Sequence, residues 1–145
     1  PDMISQMREQ KRRILAETAE AGLAPIRSNS PDHECGTHVM YRFESAAAAD
    51  AFAEAVGGTV AIKTGRHVYT EWDPILEHRG GHHPAMNPYN YPANAECRTE
   101  YTREMCQASL EILARTVFLG THPDNTTGDV DAMIAKVKEA ASVAV

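Results

Sequence analysis

The stretch CQASLEILARTVFLGTHPDNTTGDVDAMIAKVKEA, residues 106–140, specifies its secondary structure more fully than any other part of the sequence. Its second half predicts a helix over residues 126–141, because Thr126 and Asp129 have the spacing of a capping box. The apolar residues of that helix fall on one face: Val130, Met133, Ile134, Val137 and Ala141. A helix with one apolar face has to bury it against another element, so this segment predicts a layered fold.

Outward from this stretch, the sequence predicts an alternation of helices and short strands. The other predicted helices are residues 2–22, 45–56 and 100–116, with Gly22 ending the first, Ser45 capping the second and Gly57-Gly58 ending it. The predicted strands are residues 37–43, 59–63 and 117–119, with residues 67–72 as a third strand or an extended arm. A single helical turn is expected after Asp73-Pro74.

This order of elements predicts an α+β fold in which helices cover one face of a small mixed or antiparallel sheet. The chain has 145 residues, and 43% of them are hydrophobic. That length and composition suffice for one core of ordinary size, so a single domain over residues 1–145 is expected.

Charge and cysteine content exclude several classes of protein. The sequence has 14 basic and 20 acidic residues, and its net charge of -6 argues against a nucleic-acid partner, which requires a concentrated basic face. Three cysteines without a CxxC spacing are typical of free thiols in a reducing compartment. No apolar run approaches the roughly 18 residues of a membrane span. The sequence therefore predicts a soluble, cytoplasmic chain without a membrane partner.

Residues 65–94 have an unusual composition. They contain four of the seven histidines, the only tryptophan, three of the five tyrosines and half of the prolines. Residues 79–98 show no helical or strand periodicity, and a loop of about 20 residues in a compact domain is usually functional or packed against something outside the domain. This segment is therefore where a site is expected.

His78, His82 and His83 in this segment raise the possibility of a zinc site, because imidazole is a good zinc ligand. Adjacent histidines such as His82 and His83 point in opposite directions on an extended backbone, and Pro84 favours that conformation for His83. No cysteine pair supports such a site. The sequence thus predicts no metal site and favours packing or hydrogen-bonding roles for these histidines.

Catalytic motifs do not complete an active site. The sequence has no nucleophile elbow, phosphate-binding glycine loop or HExxH motif, and Gly80-Gly81 is too short to hold a phosphate. Of the few lysines, only Lys63 lies near the histidine-rich segment, and a lysine at the end of a strand is usually a solvated edge residue. No catalytic residue is predicted in this chain.

The order of these features resembles the C-terminal small domain of the DegT-type PLP-dependent sugar aminotransferases, members of the fold-type I aspartate aminotransferase superfamily. The resemblance covers nearly the whole chain: REQKRRILAETAEAGLAPI is similar to a connecting helix, THVMYRFE to the first strand, SAAAADAFAEAVGG to the next helix, and TGRHVYTEWDPIL to an arm that faces the active site. The closing block, residues 106–140, is the most specific part of the match.

This resemblance implies that residues 1–23 form the connecting helix and that a large domain upstream carries PLP and its Schiff-base lysine. The chain alone would then be inactive. It would contribute substrate contacts, with a second subunit of a homodimer and its own large domain as partners. The implied substrates are a keto-sugar or polyol ketone of amino-sugar biosynthesis and an amino donor such as glutamate or glutamine. The substrate-binding residues implied by position are Arg66, His67 and Tyr69, followed by His82 and His83.

The chemistry of these residues suits such a role, and alternatives remain open. Arg66 could bind a carboxylate or phosphate bidentately, while His67 and Tyr69 could orient hydroxyl groups. Arg66 could instead form an ordinary exposed ion pair. A related branch of the family lacks the lysine and performs dehydration. Two further alternatives are a free-standing ferredoxin-like ligand-binding module and a zinc-binding interaction domain built on the histidine loop.

Overall fold

The computed structural model describes residues 2–144, and the chain divides into two compact units. The first unit comprises Pro1–Lys63 and Ser109–Val145, and the second comprises Thr64–Ala108. In chain order the elements are α1 (Met3–Glu17), β1 (Ala24–Pro25), β2 (His38–Arg42), α2 (Ala46–Val56), β3 (Thr59–Val60), α3 (Asp73–Leu76), α4 (Gln107–Ala114), β4 (Thr116–Gly120) and α5 (Thr127–Ala144).

The first unit is built on an antiparallel sheet with the strand order β1-β2-β4-β3. Val39 in β2 lies opposite Leu119 in β4, and Tyr41 lies opposite Val117. All four side chains are buried, while the alternate positions His38 and Arg42 are exposed. Alternate residues of β2 thus face the core, as the period of two in a strand requires. This arrangement confirms the predicted α+β fold and selects the antiparallel alternative.

Aromatic side chains fill the centre of this core. Phe52 of α2 packs edge-on against Tyr41 at a ring-centroid distance of 5.9 Å, and its ring is tilted against that of Phe43 at 4.8 Å. The buried hydroxyl group of Tyr41 lies 2.8 Å from Thr18 Oγ1, which in turn donates to the carbonyl of Ile14 at 2.7 Å. Burial raises the pKa of the Tyr41 phenol, and the hydrogen bond between Tyr41 and Thr18 opposes that rise. The phenol therefore stays neutral inside the core.

Side-chain caps define the helix ends much as the sequence predicts. Ser45 Oγ accepts from the backbone N–H of Ala48 at 3.1 Å, and α2 ends at Gly57 with φ of 70°. At the start of α5, Asp129 Oδ2 accepts from the N–H of Thr126 at 2.8 Å and from its hydroxyl at 2.7 Å. The hydroxyl and then the N–H of Thr126 lower the pKa of Asp129. The predicted capping box is confirmed.

Two helices are shorter than predicted. The first ends at Glu17 and is followed by a 3-10 turn, Ala19–Ala21, that leads to Gly22 with φ of 74°. The helix predicted for residues 100–116 spans only Gln107–Ala114, because Cys106 has φ of 59° and a left-handed residue cannot continue a helix.

Two strand predictions are corrected as well. Residues 59–63 form a strand only at Thr59–Val60, followed by a 3-10 turn. The extended arm predicted for residues 67–72 is wrong. The N–H groups of Val68 and Glu71 donate to carbonyls three residues earlier, at 2.8 and 3.0 Å, so this segment closes successive turns and pairs with no strand. No helix among residues 2–144 has the length and apolarity to cross a membrane.

A partly buried ion pair links α1 to the turn before β2. Lys11, which is 8% exposed, places its ammonium nitrogen 2.7 Å from Glu34 Oε2, and Arg8 donates to the backbone carbonyl of Glu34. Partial burial acts to raise the pKa of Glu34, but the hydrogen bonds from Lys11 and Ser28 and the charges of Lys11 and Arg8 lower it overall. The carboxylate is therefore the stable form in the fold.

We expect Glu34→Gln to destabilise the protein by about 1–3 kcal/mol, because the buried Lys11 ammonium loses its charged partner. Lys11→Met should destabilise the protein less, since the Glu34 side chain is 26% exposed and can be hydrated. The pKa of Glu34 is lowered, so its contribution is present above the unfolded value near 4.5 and is lost as pH falls through the folded pKa. Urea denaturation between pH 3 and 7 measures both effects. Equal losses of stability in Glu34→Gln and Lys11→Met would contradict this account.

Candidate functional site

The second unit contains a ladder of three 3-10 turns, Pro84–Met86, Pro88–Asn90 and Pro92–Asn94, which we call the turn ladder. Each turn begins with a proline, whose φ near -65° is already that of a 3-10 helix. The residue before each proline is extended, as the proline ring requires. A proline every four residues therefore produces one turn after another.

Asparagine side chains connect successive turns of the ladder. Asn90 Nδ2 donates to the carbonyl of Pro84 at 3.3 Å, and Asn94 Nδ2 donates to the carbonyl of Pro88 at 2.8 Å. Both bonds reach back six residues to carbonyl groups that also accept the N–H groups closing their own turns, those of Asn87 at 3.1 Å and Tyr91 at 3.4 Å. The segment without helical or strand periodicity thus has a repeat of four residues, in the pattern HPAM-NPYN-YPAN. In the sequence, this repeat is visible in the regular spacing of Pro84, Pro88 and Pro92.

His78 attaches the turn ladder to the rest of the second unit. Its ring stacks on Tyr89 with centroids 4.5 Å apart, and its Nε2 lies 2.7 Å from the carbonyl oxygen of Thr99. Its own carbonyl accepts from Asn87 Nδ2 at 3.1 Å. Tyr89 also donates its hydroxyl to the carbonyl of Ile75 in α3 at 3.2 Å. His78 is therefore a packing and hydrogen-bonding residue, as one of the sequence alternatives holds.

A cavity of about 660 Å³ lies between α3, the turn ladder and the segment before α4. Most of its lining is aromatic or aliphatic. The lining residues are Tyr69, Trp72, Ile75, Leu76, Pro88, Tyr89, Asn94, Cys97, Arg98, Thr99, Tyr101, Met105 and Cys106. We call this space the aromatic cavity. All of these residues belong to the second unit.

Tyr69 closes one wall of the aromatic cavity. Its hydroxyl lies within hydrogen-bonding distance of the carbonyl oxygens of Met105 and of Arg103, the latter at 2.8 Å. Removal from solvent, with added repulsion from Cys106 and Glu104, raises the pKa of this phenol. Tyr69 is therefore a protonated donor held on backbone carbonyls, and only its oxygen lone pairs remain to accept a bond from a substrate hydroxyl.

Arg66 lines a different cleft, of about 450 Å³, together with Glu71, Trp72, Asp73, Pro74, Ile75 and Arg79. Its backbone carbonyl accepts from Trp72 Nε1 at 2.8 Å. Its guanidinium is exposed and makes no hydrogen bond or ion pair with any residue of the described range 2–144. We call this space the Arg66 cleft. The ion pair that the sequence left open for Arg66 is not formed.

Of the three other charged residues that line the Arg66 cleft, Arg79 and Asp73 are paired within the second unit, whereas Glu71 forms no ion pair among residues 2–144. Arg79 pairs with Glu77 at 2.8 Å, and Asp73 pairs with Arg103 at 2.8 Å. The hydrogen bond that Arg103 donates to Asp73, with the charges of Asp73, Glu71 and Glu77, raises the pKa of Arg103. Asp73 and Arg79 are thus engaged in ion pairs, which leaves Arg66 as the cation of the cleft that is available to a ligand.

The structure places the three predicted histidines apart from both spaces. His67, His82 and His83 are exposed and line neither the aromatic cavity nor the Arg66 cleft. His83 caps the first turn of the ladder, because its Nδ1 accepts from the N–H of Ala85 at 3.1 Å. In the described range 2–144, no group of three or more His, Cys, Asp and Glu side chains could hold a metal ion.

The lysines of this chain do not fit the Schiff-base amine that PLP requires. Lys11 is paired with Glu34 at 2.7 Å, and Lys63 with Asp50 at 2.7 Å. Lys136 and Lys138 lie on the exposed face of α5. No reaction step is therefore assigned to PLP on this chain.

No protein-family model matches the chain, and no curated protein is significantly similar to it. Two features of the second unit bear on function, the unpaired Arg66 guanidinium and the aromatic cavity, which shares Trp72 and Ile75 with the Arg66 cleft.

Proposed function

We propose that this chain is the C-terminal small domain of a PLP-dependent aminotransferase of the DegT type, in which Arg66 binds an anionic group of a substrate. The acceptor is a keto-sugar or polyol ketone and the donor is glutamate or glutamine. The cofactor and its lysine belong to an upstream large domain, and the enzyme acts in the cytoplasm as a homodimer. The resemblance of residues 8–26 and 106–140 to that family is the basis for this assignment.

The observation that carries the proposal is the unpaired guanidinium of Arg66 in a cleft where the other cation, Arg79, and the acid Asp73 are already engaged in ion pairs. A guanidinium presents its N–H donors as a planar fork, which matches a carboxylate or a phosphate. Solvent exposure leaves the group accessible to a ligand. His67 follows it on the same turn and is also unpaired within residues 2–144, but it does not line the Arg66 cleft and is given no substrate contact.

We expect Arg66→Ala to raise the KM for the anionic substrate roughly 10- to 100-fold, because a charge-assisted hydrogen bond is worth about 1.5–3 kcal/mol. The measurement is steady-state transamination by the protein that includes the upstream PLP-binding domain. Absorbance of bound PLP should be unchanged, since Arg66 does not hold the cofactor.

Arg79→Ala is the matched control, because Arg79 lines the same cleft but is already paired with Glu77. It should leave KM within about twofold of the unmodified value, as expected for an exposed ion pair. A normal KM for Arg66→Ala, or an equal rise for both variants, would remove Arg66 from the substrate site. Loss of PLP binding in Arg66→Ala would also contradict the proposed role.

A further inference from the structure

The aromatic cavity has the composition of a small-molecule site. Its volume of about 660 Å³ falls within the roughly 300–1,000 Å³ typical of ligand pockets. Trp72, Tyr89 and Tyr101 present ring surface to it, and Trp72 remains 44% exposed. Flat aromatic surface of this kind favours a flat apolar partner, because stacked rings gain contact area and quadrupole attraction.

Arg98 is the only charged residue among those that line the cavity. Its guanidinium carbon lies 5.6 Å from the ring centroid of Tyr101, and its Nε donates to the carbonyl of Glu100 at 3.3 Å. The Tyr101 hydroxyl donates to the Arg98 carbonyl at 2.9 Å, so side chain and backbone are held together. The two terminal nitrogens of Arg98 have no acceptor among residues 2–144.

We propose that the aromatic cavity binds a small organic anion with a flat aromatic body. The body packs against Trp72 and Tyr89, and its carboxylate or sulfonate accepts hydrogen bonds from the terminal nitrogens of Arg98. An apolar wall with one positioned cation selects such an amphipathic anion over a neutral aromatic compound or a polar anion. This site is separate from the Arg66 cleft and goes beyond the proposed aminotransferase function.

Two fluorescent probes that differ in one charged group test the proposal. The first is 1-anilinonaphthalene-8-sulfonate, and the second is N-phenyl-1-naphthylamine, which has the same rings without the sulfonate. Trp72 is the only tryptophan of the chain and lines both the cavity and the Arg66 cleft, so energy transfer from it reports that a probe is bound, while the Arg98 variants and thiol protection report where. We expect both probes to quench Trp72 fluorescence.

The ratio of the two affinities isolates the role of Arg98. We expect Arg98→Gln to lower the affinity for the sulfonate probe about tenfold relative to the neutral probe, a change of about 1.4 kcal/mol. Arg115→Gln is the matched control, because Arg115 also donates its Nε to a backbone carbonyl, that of Glu111 at 3.4 Å, but lies outside the cavity. Its affinity ratio should equal that of the unmodified chain.

Thiol protection gives an independent measurement of where the probe binds. Cys97 and Cys106 line the cavity, Cys35 lies in the first unit, and all three are exposed. A saturating concentration of the sulfonate probe should slow alkylation of Cys97 and Cys106 by iodoacetamide severalfold and leave the rate at Cys35 unchanged. Mass spectrometry of the labelled peptides gives the three rates separately.

Several results would overturn the proposal: an affinity ratio unaltered by Arg98→Gln, binding without transfer from Trp72, absence of binding, or equal protection of all three thiols. Arg98→Lys keeps the charge and loses the planar fork, so its ratio should fall less than that of Arg98→Gln. This second variant decides the matter if Arg98→Gln does not fold. The outcome is independent of the kinetic test of Arg66.

Discussion

Replacing Gly36 with alanine is expected to destabilise the first unit by about 3–5 kcal/mol, the sum of left-handed backbone strain and a steric clash. Gly36 has φ of 71°, and a Cβ atom there would lie 2.6 Å from the backbone nitrogen of Arg8 and 2.8 Å from the carbonyl carbon of Met7. Both atoms belong to the backbone of α1, which cannot rotate away as a side chain can. The helix or the turn would have to move.

The segment around Gly36 is also held from its other side. Its carbonyl accepts from the buried Thr121 hydroxyl at 2.6 Å, and the N–H of Thr121 donates to the carbonyl of Thr37 at 2.9 Å. Moving the turn away from α1 would therefore break hydrogen bonds and leave a buried hydroxyl without a partner. A movement that relieves the clash would therefore also lower the free energy of unfolding.

Gly57→Ala is the matched control for this prediction. Gly57 has nearly the same φ, 70°, but nothing lies within 4 Å of the position that a Cβ atom would take. Gly57→Ala should lower the free energy of unfolding by the conformational strain alone, about 1–2 kcal/mol. Urea denaturation followed by circular dichroism measures both variants. Equal destabilisation of the two would show that φ alone matters and that α1 does not pack as tightly on Gly36 as the structure indicates.

Gly80→Ala should open the turn ladder while leaving the first unit intact. A Cβ atom at Gly80 would lie 2.4 Å from both Cα and Cβ of Asn87, the residue that caps the second turn and bonds to the His78 carbonyl. Separating these residues breaks that attachment and displaces Pro88 and Tyr89 from the wall of the aromatic cavity. We expect alkylation of Cys97 and amide exchange in residues 84–95 to accelerate at least about tenfold, equivalent to 1.4 kcal/mol of local stability.

Gly81→Ala provides the comparison within the same dipeptide. Its added Cβ atom would lie 3.0 Å from Met86 Cβ, a contact that a shift of a few tenths of an ångström relieves, whereas the approach at Gly80 is 2.4 Å. Exchange in the ladder should then change by less than about threefold. If Gly81→Ala opened the ladder as far as Gly80→Ala, contact with Asn87 would not be what holds it. A large loss of global stability in Gly80→Ala would show that the two units do not unfold separately.

The parts of the fold that the sequence predicts correctly have local signals. Thr126 and Asp129 cap α5 through their own side chains, and Ser45 and Gly57 bound α2 in the same way. β2 alternates between exposed and buried residues along its length. Each of these features depends on residues within one or two turns of each other, so the pattern determines the structure.

The elements that are not predicted from the sequence depend on distant partners or on unusual backbone angles. β1 consists of two residues and exists only because Ala24 and Pro25 pair with β2. The late start of α4 follows from the positive φ of Cys106, for which no local pattern gives a signal. The turn ladder could have been predicted from its prolines, since a repeat of four residues is visible in the sequence.

The candidate site is predicted only in part for the same reason. Arg66 and Tyr69 were expected together on one extended arm, but successive 3-10 turns send them to different spaces, the Arg66 cleft and the wall of the aromatic cavity. Arg98 was not predicted at all. Its position beside Tyr101 depends on how residues 95–106 fold back toward α3, and no motif marks it.

The interruption of the first unit by residues 64–108 has a consequence for the order in which the protein folds during synthesis. β4 lies between β2 and β3 in the sheet, yet it follows both of them in the chain by more than fifty residues. A nascent chain that has emerged as far as residue 108 therefore exposes two strand edges and the apolar face of α2 without their partners. Such edges are templates for pairing between chains. Ribosome stalling in the second unit should thus favour aggregation, and the emergence of β4 and α5 should relieve it.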